Sequence, residues 1–328
     1  MNAQPAFPTT VDLVPGANTG RIVFGADTLA GDGVALAVPA ALLAGPAGGV
    51  AVARLSPAAA VVESDGFRCL ADGELLFGVS SIDETGTGDG LGVTTELAYR
   101  RLFTTMAALG YPVLVRVWNY LAGINRQEEG VERYRRFNRG RQRAFAAAGQ
   151  ALTGRVPAAC ALGVPAGPLR IAFLASRRPM LPLENPRQIS AYHYPDDYGA
   201  YSPTFSRAAL LQAGACENLF ISGTAAIVGH RSCYTGDVVA QAEETVANLL
   251  AVIAGANLLL DRAAFAARQL DYVVYLRHAG DLPPVRALLL ARLGVSPERL
   301  VFVAADVCRA ELLIEIEAGG RVEARGRA

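Results

Sequence analysis

The stretch VFVAADVCRAELLIEIEA, Val301 to Ala318, decides how the rest of the chain is read. Val301 to Ala305 is short, apolar and rich in β-branched residues, the composition of a buried strand. Asp306 to Glu311 is polar enough to turn the chain. From Leu312 to Ala318 the pattern alternates. Leu312, Ile314 and Ile316 point one way and Leu313, Glu315 and Glu317 the other, so the spacing predicts a second strand. Cys308 falls in the turn. Simple alternation places Cys308 and Glu315 on opposite faces, so they meet only if the turn brings them together. On spacing alone, the two glutamates read as a solvated strand face and Cys308 as a small buried thiol.

This stretch has a counterpart earlier in the chain. Glu311 to Ala318, ELLIEIEA, matches Pro168 to Ala175, PLRIAFLA, and Glu217 to Gly223, ENLFISG, matches Glu74 to Ser80, ELLFGVS, each at an offset of about 143 residues. The first copy continues as a helix from Thr94 to Leu109 with Leu97, Leu102 and Met106 apolar. A strand over 111–120, an Arg-dense helix over 131–148 and strands over 156–163 and 169–175 follow. The second copy runs as a helix over 237–254, a strand over 271–277, a helix over 285–293 and the two closing strands. Both halves read β, α, β, α, β, β, which implies duplication of one α+β unit. The expected organisation is a β-rich N-terminal extension over 1–70, a first unit over 71–175, an inter-unit segment over 176–216 and a second unit over 217–328.

Composition narrows the function. The chain has 328 residues, 52% hydrophobic and 18% charged, enough for a large buried core. Its formal net charge is zero, so no bulk field draws it to nucleic acid or to an anionic membrane. All thirty basic residues are Arg, so any cation that binds a carboxylate must be a guanidinium, whose planar fork suits the task. Five scattered cysteines and three isolated histidines make no metal-ligand spacing and no disulfide framework. The first residues lack the basic and apolar regions of a signal peptide, and the apolar runs are broken by Gly, Pro or charge. A cytoplasmic location is the expectation. The Gly-rich run DETGTGDGL, Asp83 to Leu91, lacks the ending of a phosphate-binding loop and reads as a polar loop.

Between the copies lies a segment with four tyrosines, Tyr192, Tyr194, Tyr198 and Tyr201, followed by Phe205 and Arg207. Aromatic, Arg-bearing loops between repeats commonly wall a ligand pocket, and they also pack domains together.

The stretches RVWNYLAGIN, RYRRFNRGRQRAF, ENPRQISAYHYP, YSPTFSRA and CRAELLIEIE, in this order, resemble the chorismatases. The likeness runs from about Leu76 to the end. LFISGTAAIVGH and the closing strands are similar to the wider Rid (reactive intermediate deaminase) fold. That resemblance implies a mixed sheet with helices on one face in each unit, a barrel-like core between units and a site where units meet. It leaves open a monomer that mimics an oligomer or a small homo-oligomer. Chorismate, the implied substrate, has two carboxylates, an enolpyruvyl ether and a ring hydroxyl. The resemblance makes Glu315 the acid that protonates the enolpyruvyl methylene, and Arg207, Arg141, Tyr194, Tyr192 and Phe205 the binding groups. A solvated helix face is the competing reading for Arg141, because five other arginines surround it. Gly223 and Cys308 match the members that form hydroxybenzoate. In them Gly replaces an Ala of the hydrolysing members, and a Cys stands seven residues before the catalytic Glu. The expected products are 3-hydroxybenzoate and pyruvate. Mixed 3- and 4-hydroxybenzoate or a dihydroxycyclohexadiene carboxylate are the alternatives. No metal or organic cofactor is called for. A Rid-type imine deaminase fits less well, since the Arg expected three residues before the VFVAA strand is Glu298. A non-catalytic module that binds a metabolite remains compatible with the sequence.

Overall fold

A computed structural model of the chain describes residues 10–12, 18–30, 33–46, 49–84 and 89–324. Parts of the N-terminal stretch and of the Gly-rich loop read above lie outside these residues. The N-terminal part forms strands β1 (Thr19–Phe24), β2 (Ala35–Val38), β3 (Leu42–Ala44) and β4 (Val50–Arg54). A hairpin of β5 (Ala60–Ser64) and β6 (Phe67–Ala71) follows, then β7 (Leu75–Ile82), α1 (Gly90–Leu109), β8 (Val113–Ala122), α2 (Arg133–Ala147), β9 (Ala158–Val164) and β10 (Leu169–Ser176). The segment between copies carries the short β11 (Leu181–Leu183), and β12 (Ala208–Ala213) follows it. The second copy is β13 (Cys216–Thr224), α3 (Val238–Leu259), β14 (Asp271–Leu276), α4 (Leu282–Leu293), β15 (Leu300–Ala304) and β16 (Ile314–Glu323).

The duplication is visible in the topology. One sheet has the order β9-β8-β10-β7-β6-β5 and the other β11-β12-β13-β16-β14-β15-β3. Within them, β9-β8-β10-β7 and β15-β14-β16-β13 are the same permutation of corresponding strands. In each copy the β8–β9 or β14–β15 pair is parallel and its neighbours are antiparallel. The β5–β6 hairpin hydrogen-bonds to β7, so the first sheet begins at Ala60, within the span assigned to the extension. Strand β3 pairs instead with β15, at the far edge of the second sheet.

Each sheet is covered on its outer face by the two helices of its own copy. Tyr99, Leu102, Phe137 and Phe145 pack on the first sheet, and Val246, Leu249, Val285 and Leu289 on the second. Helix α1 starts four residues earlier than its periodicity predicts, and Leu97 is exposed; Ala98, Tyr99 and Leu102 form the buried stripe. Its end is as read: Gly110, at φ 77°, takes the left-handed turn that a Cβ would oppose. Helix α3 is long and apolar enough to cross a membrane by length and composition. It lies on the second sheet with Ala242, Val246, Leu249, Val252 and Ala256 buried.

The inner faces meet in one apolar core. Trp118, Tyr120, Cys160 and Leu174 of the first sheet pack with Leu211, Val273, Tyr275 and Val303 of the second, and Ile22, Phe24, Leu36 and Val38 close one side. Burial on both faces explains why β10 and β14 read as apolar runs rather than alternating strands. The sheets are stitched at β9, which bridges to Ser206 through Ala158 and to Asp306 through Gly163. A Cβ at Gly163 would lie 2.6 Å from both Asp306 Cβ and Ile124 Cγ2, so only glycine permits this approach.

Candidate active site

Glu315 projects from β16 into the space between the sheets. The alternation predicted over 312–318 holds from Ile314, where the strand begins two residues later than read, but its second face is not solvated: Glu315 is 4% exposed and Glu317 5%. Ile314 and Ile316 pack toward the helices, while the glutamates point inward. Opposite Glu315 runs β13, where the register slips between Ile221 and Thr224, a bulge of one residue. Gly223 sits in that bulge. A Cβ there would overlap Glu315 Oε1 and lie 2.7 Å from its Cδ and 3.1 Å from Cys160 Cβ. Glycine is therefore what lets the carboxylate lie against the β13 backbone. Ser222, just before it in the chain, accepts from Ala159 N (2.9 Å) and donates to Ser206 O (2.6 Å), which locks the bulge to the first copy and to the segment between copies.

The turn from Ala305 to Leu313 brings Cys308 back over the glutamate. The Cys308 Sγ lies 4.0 Å from Glu315 Oε2, so the two groups that alternation separates do meet. Arg277, at the end of β14, holds this turn. It donates to Leu312 O (3.0 Å), Val307 O (3.2 Å) and Arg309 O (3.1 Å) and pairs with Asp306. Gln241 of α3 adds bonds to Glu311 O (2.9 Å) and from Leu313 N (2.7 Å).

Gly223, Cys308 and Glu315 line a cavity of about 620 Å³, mouth included, with Tyr194, Phe205 and Arg207 on its wall. Arg207, just before β12 and 4% exposed, donates to Tyr194 Oη (2.7 Å) and Ile189 O (2.9 Å). Its guanidinium stands 5.3 Å from the Phe205 ring centre, and its Nε has no hydrogen-bond partner among the described residues.

Two expected binding residues lie elsewhere. Tyr192 is not on the cavity wall; its hydroxyl is beside the Glu184 carboxylate and its ring rests against His193. Arg141 is 2% exposed, which overturns the solvated-face reading, yet it is not on the wall either. It donates to Asn138 Oδ1 (2.8 Å) and stacks on Phe137, behind Tyr134, which does line the cavity. Its neighbours Arg133, Arg136 and Arg139 are tied to Glu84, Glu128, Glu129 and Asp89. The cavity also takes in Tyr198 of the aromatic segment, and it has walls that the sequence did not single out: Glu132, Tyr134, Arg135 and Arg309. Arg309 holds His230 O (2.8 Å) and lies 4.0 Å from the Tyr198 ring centre, with Nη2 unpartnered among the described residues. Its place next to Cys308 was the available signal.

Electrostatics favour a protonated acid. Burial pushes the Glu315 carboxyl up to about 8, and the Glu317 charge on the same face adds to this. Arg116 and Arg207 pull it back only in part. Burial, then the nearby Glu315 charge, pushes the Cys308 thiol up to about 12. At neutral pH the site therefore offers a carboxylic acid and a neutral thiol, with an arginine for an anion.

A duplicated α+β chain with a carboxyl buried in a cavity between its copies defines the class of protein. The family described as "Chorismatase FkbO/Hyg5-like, N-terminal" matches residues 54–175. A protein of Streptomyces hygroscopicus named 3-hydroxybenzoate synthase is 36% identical over 267 residues, 78% of this chain and 76% of that one. A chorismatase of Streptomyces rapamycinicus is 38% identical over 261 residues, covering 77% and 76%. A crystal structure of a chorismatase superposes with a TM-score of 0.73 at 35% identity, over 79% of this chain and 78% of that one. The chain belongs to the chorismatase family.

Proposed function

We propose that the chain converts chorismate to 3-hydroxybenzoate and pyruvate, with Glu315 as the acid. The observation that carries this reading is a buried carboxyl held near a pKa of about 8 in the cavity that also contains Gly223, Cys308 and Arg207. Its relative named 3-hydroxybenzoate synthase supports the choice of product.

Glu315 gives its proton to the enolpyruvyl methylene, which becomes the methyl group of pyruvate. The cation that forms is stabilised by the ether oxygen, and the bond from that oxygen to the ring breaks. The oxygen leaves as the pyruvate carbonyl. The adjacent ring hydroxyl oxygen bonds to the carbon that the ether oxygen leaves and returns its proton to Glu315. Its bond to its original carbon then breaks as the oxygen is reprotonated, and the carbon that now bears it loses its hydrogen as a proton, which aromatises the ring. No water is consumed. Arg207 binds a substrate carboxylate with the fork that its unpartnered Nε leaves available. Arg141 acts from behind Tyr134 by adding positive potential, and Arg309 is a second anchor at the mouth. The neutral Cys308 thiol donates to the ring oxygen during rearrangement; a thiol pushed up to about 12 is a poor nucleophile at neutral pH.

The test is chromatography of the products from chorismate, with pyruvate assayed separately. Equal amounts of pyruvate and 3-hydroxybenzoate are expected. A dihydroxycyclohexadiene carboxylate as main product assigns the hydrolytic route instead. No turnover leaves a binding module.

A further inference from the structure

Glu317 marks a second cavity. It shares the inward face of β16 with Glu315 but opens on a different space, walled by the inner faces of both sheets and by β4. This space measures about 870 Å³ with its mouth and has no wall residue in common with the cavity at Glu315. Its lining is largely apolar, including Val52, Leu75, Trp118, Leu174, Phe220 and Val273.

Two charged groups are buried in that wall. Arg116 of β8 is 1% exposed and pairs through Nη2 with Glu317. Glu317 also accepts from Tyr275 Oη (2.7 Å), which is hydrogen-bonded to Tyr120 Oη (2.9 Å). The Arg116 guanidinium stands 5.1 Å from the Trp118 ring centre, and its Nη1 has no hydrogen-bond partner among the described residues. A buried N–H left unpaired costs on the order of 1–3 kcal/mol, so this donor favours an acceptor. Arg54 and Arg321, both exposed, line the same cavity. Asp271, the other acid in the lining, is paired with Arg299.

We propose that this inter-sheet cavity is a second ligand site, taking a small one-ring aromatic carboxylate whose anion caps Arg116 Nη1 and whose ring packs by Trp118 and Phe220. Glu317 satisfies one arm of the guanidinium and leaves the other for the ligand. The apolar walls select a ring over an inorganic anion, and the mouth arginines favour negative charge. Hydroxybenzoate belongs to this ligand class, but the site does not depend on the chain making it.

Trp118 is the only tryptophan, so its fluorescence reports on this cavity. The experiment titrates benzoate into the full chain and into three variants. Wild type should give a saturable change, and Arg207→Ala, which disarms the other cavity, should keep it. Arg116→Lys, which loses the fork, should weaken it at least tenfold. The exposed double change Arg54→Glu with Arg321→Glu should weaken it several-fold and decides the matter if Arg116→Lys does not fold. The proposal is overturned if wild type gives no saturable change, if Arg207→Ala abolishes it, or if neither Arg116→Lys nor the double change alters it.

Discussion

At the scale of single residues, one carboxyl carries both the proposed acid role and a stability cost. The folded pKa of Glu315, about 8, lies above the ordinary value of 4.5. Between those values the unfolded chain has released the proton and the folded chain still holds it. Stability therefore falls as pH rises through this window, by on the order of 1.4 kcal/mol per pH unit from this group, and levels off above pH about 8. Glu315→Gln removes that slope. The variant should gain stability over wild type as pH rises from about 4.5 to about 8, while pyruvate release falls on the order of 10²- to 10⁴-fold. Urea denaturation at several pH values, paired with a pyruvate assay, checks both. Equal pH slopes, or near-normal turnover, would remove Glu315 from its role. Wild-type kcat/KM should decline above pH about 8 as the acid ionises.

Arg207 and Gly223 extend the same logic. Arg207→Ala should weaken a dicarboxylate analogue by about 1.5–3 kcal/mol, with Lys restoring only part; calorimetry showing full affinity would dismiss it as an anchor. At Gly223 an added methyl group meets Glu315 first. Gly223→Ala must rotate the carboxylate, and Cys308→Ala removes the thiol above it. Together they should lower the aromatic share of product in favour of the dihydroxycyclohexadiene acid. An unchanged share, at undiminished pyruvate release, would place product choice elsewhere. The motif signalled Glu315, Cys308, Gly223 and Arg207, and the aromatic segment signalled Tyr194 and Phe205. Tyr192 was misplaced because neighbours along a short 3₁₀ turn point apart, which residue type does not reveal.

At the scale of elements, the helices and β16 were legible from one apolar face at their own period, and β10 and β14 from short continuous apolar runs. The polarity of 306–311 signalled a turn, but neither the bulge at Gly223 nor the path that carries Cys308 over Glu315 was legible, since a register slip and a web of side chain to carbonyl bonds leave no periodic trace. That web is concentrated in Arg277. It donates to three carbonyls of the turn, to Asn125 Oδ1 (3.2 Å) and to Asp306. Arg277→Leu keeps bulk but leaves these acceptors unpaired, and should cost about 2–4 kcal/mol of stability. It is not itself a wall of the cavity, so its effect on chemistry runs through the backbone of Arg309 and the position of Cys308. The expected signature is a lower aromatic share and lower kcat with little change in KM. A variant with wild-type denaturation midpoint and product ratio would show that the turn holds without it.

At the scale of the whole molecule, the repeat was legible from two short matches, but the dependence of the copies on each other was not. Sequence boundaries suggest separable units. The described structure places the inner faces of both sheets in one core and joins the β9 edge to Ser206 and Asp306. Strand β3, far from the second copy in sequence, supplies an edge of its sheet. A fragment over 217–328 would therefore expose Val273, Tyr275, Val303 and two inward glutamates and lose an edge partner. Such a face is too apolar to remain in water and too charged to pack at random. The full chain should then unfold as one cooperative unit despite its two copies. Trp118 reports on the inner face of the first sheet, and far-ultraviolet circular dichroism averages over both copies. The two signals should give coincident urea transitions, and the 217–328 fragment alone should show no cooperative transition. A tryptophan midpoint clearly apart from the dichroism midpoint, or a fragment with its own sharp transition, would mean that the copies are stable separately and that the core between them is only an interface.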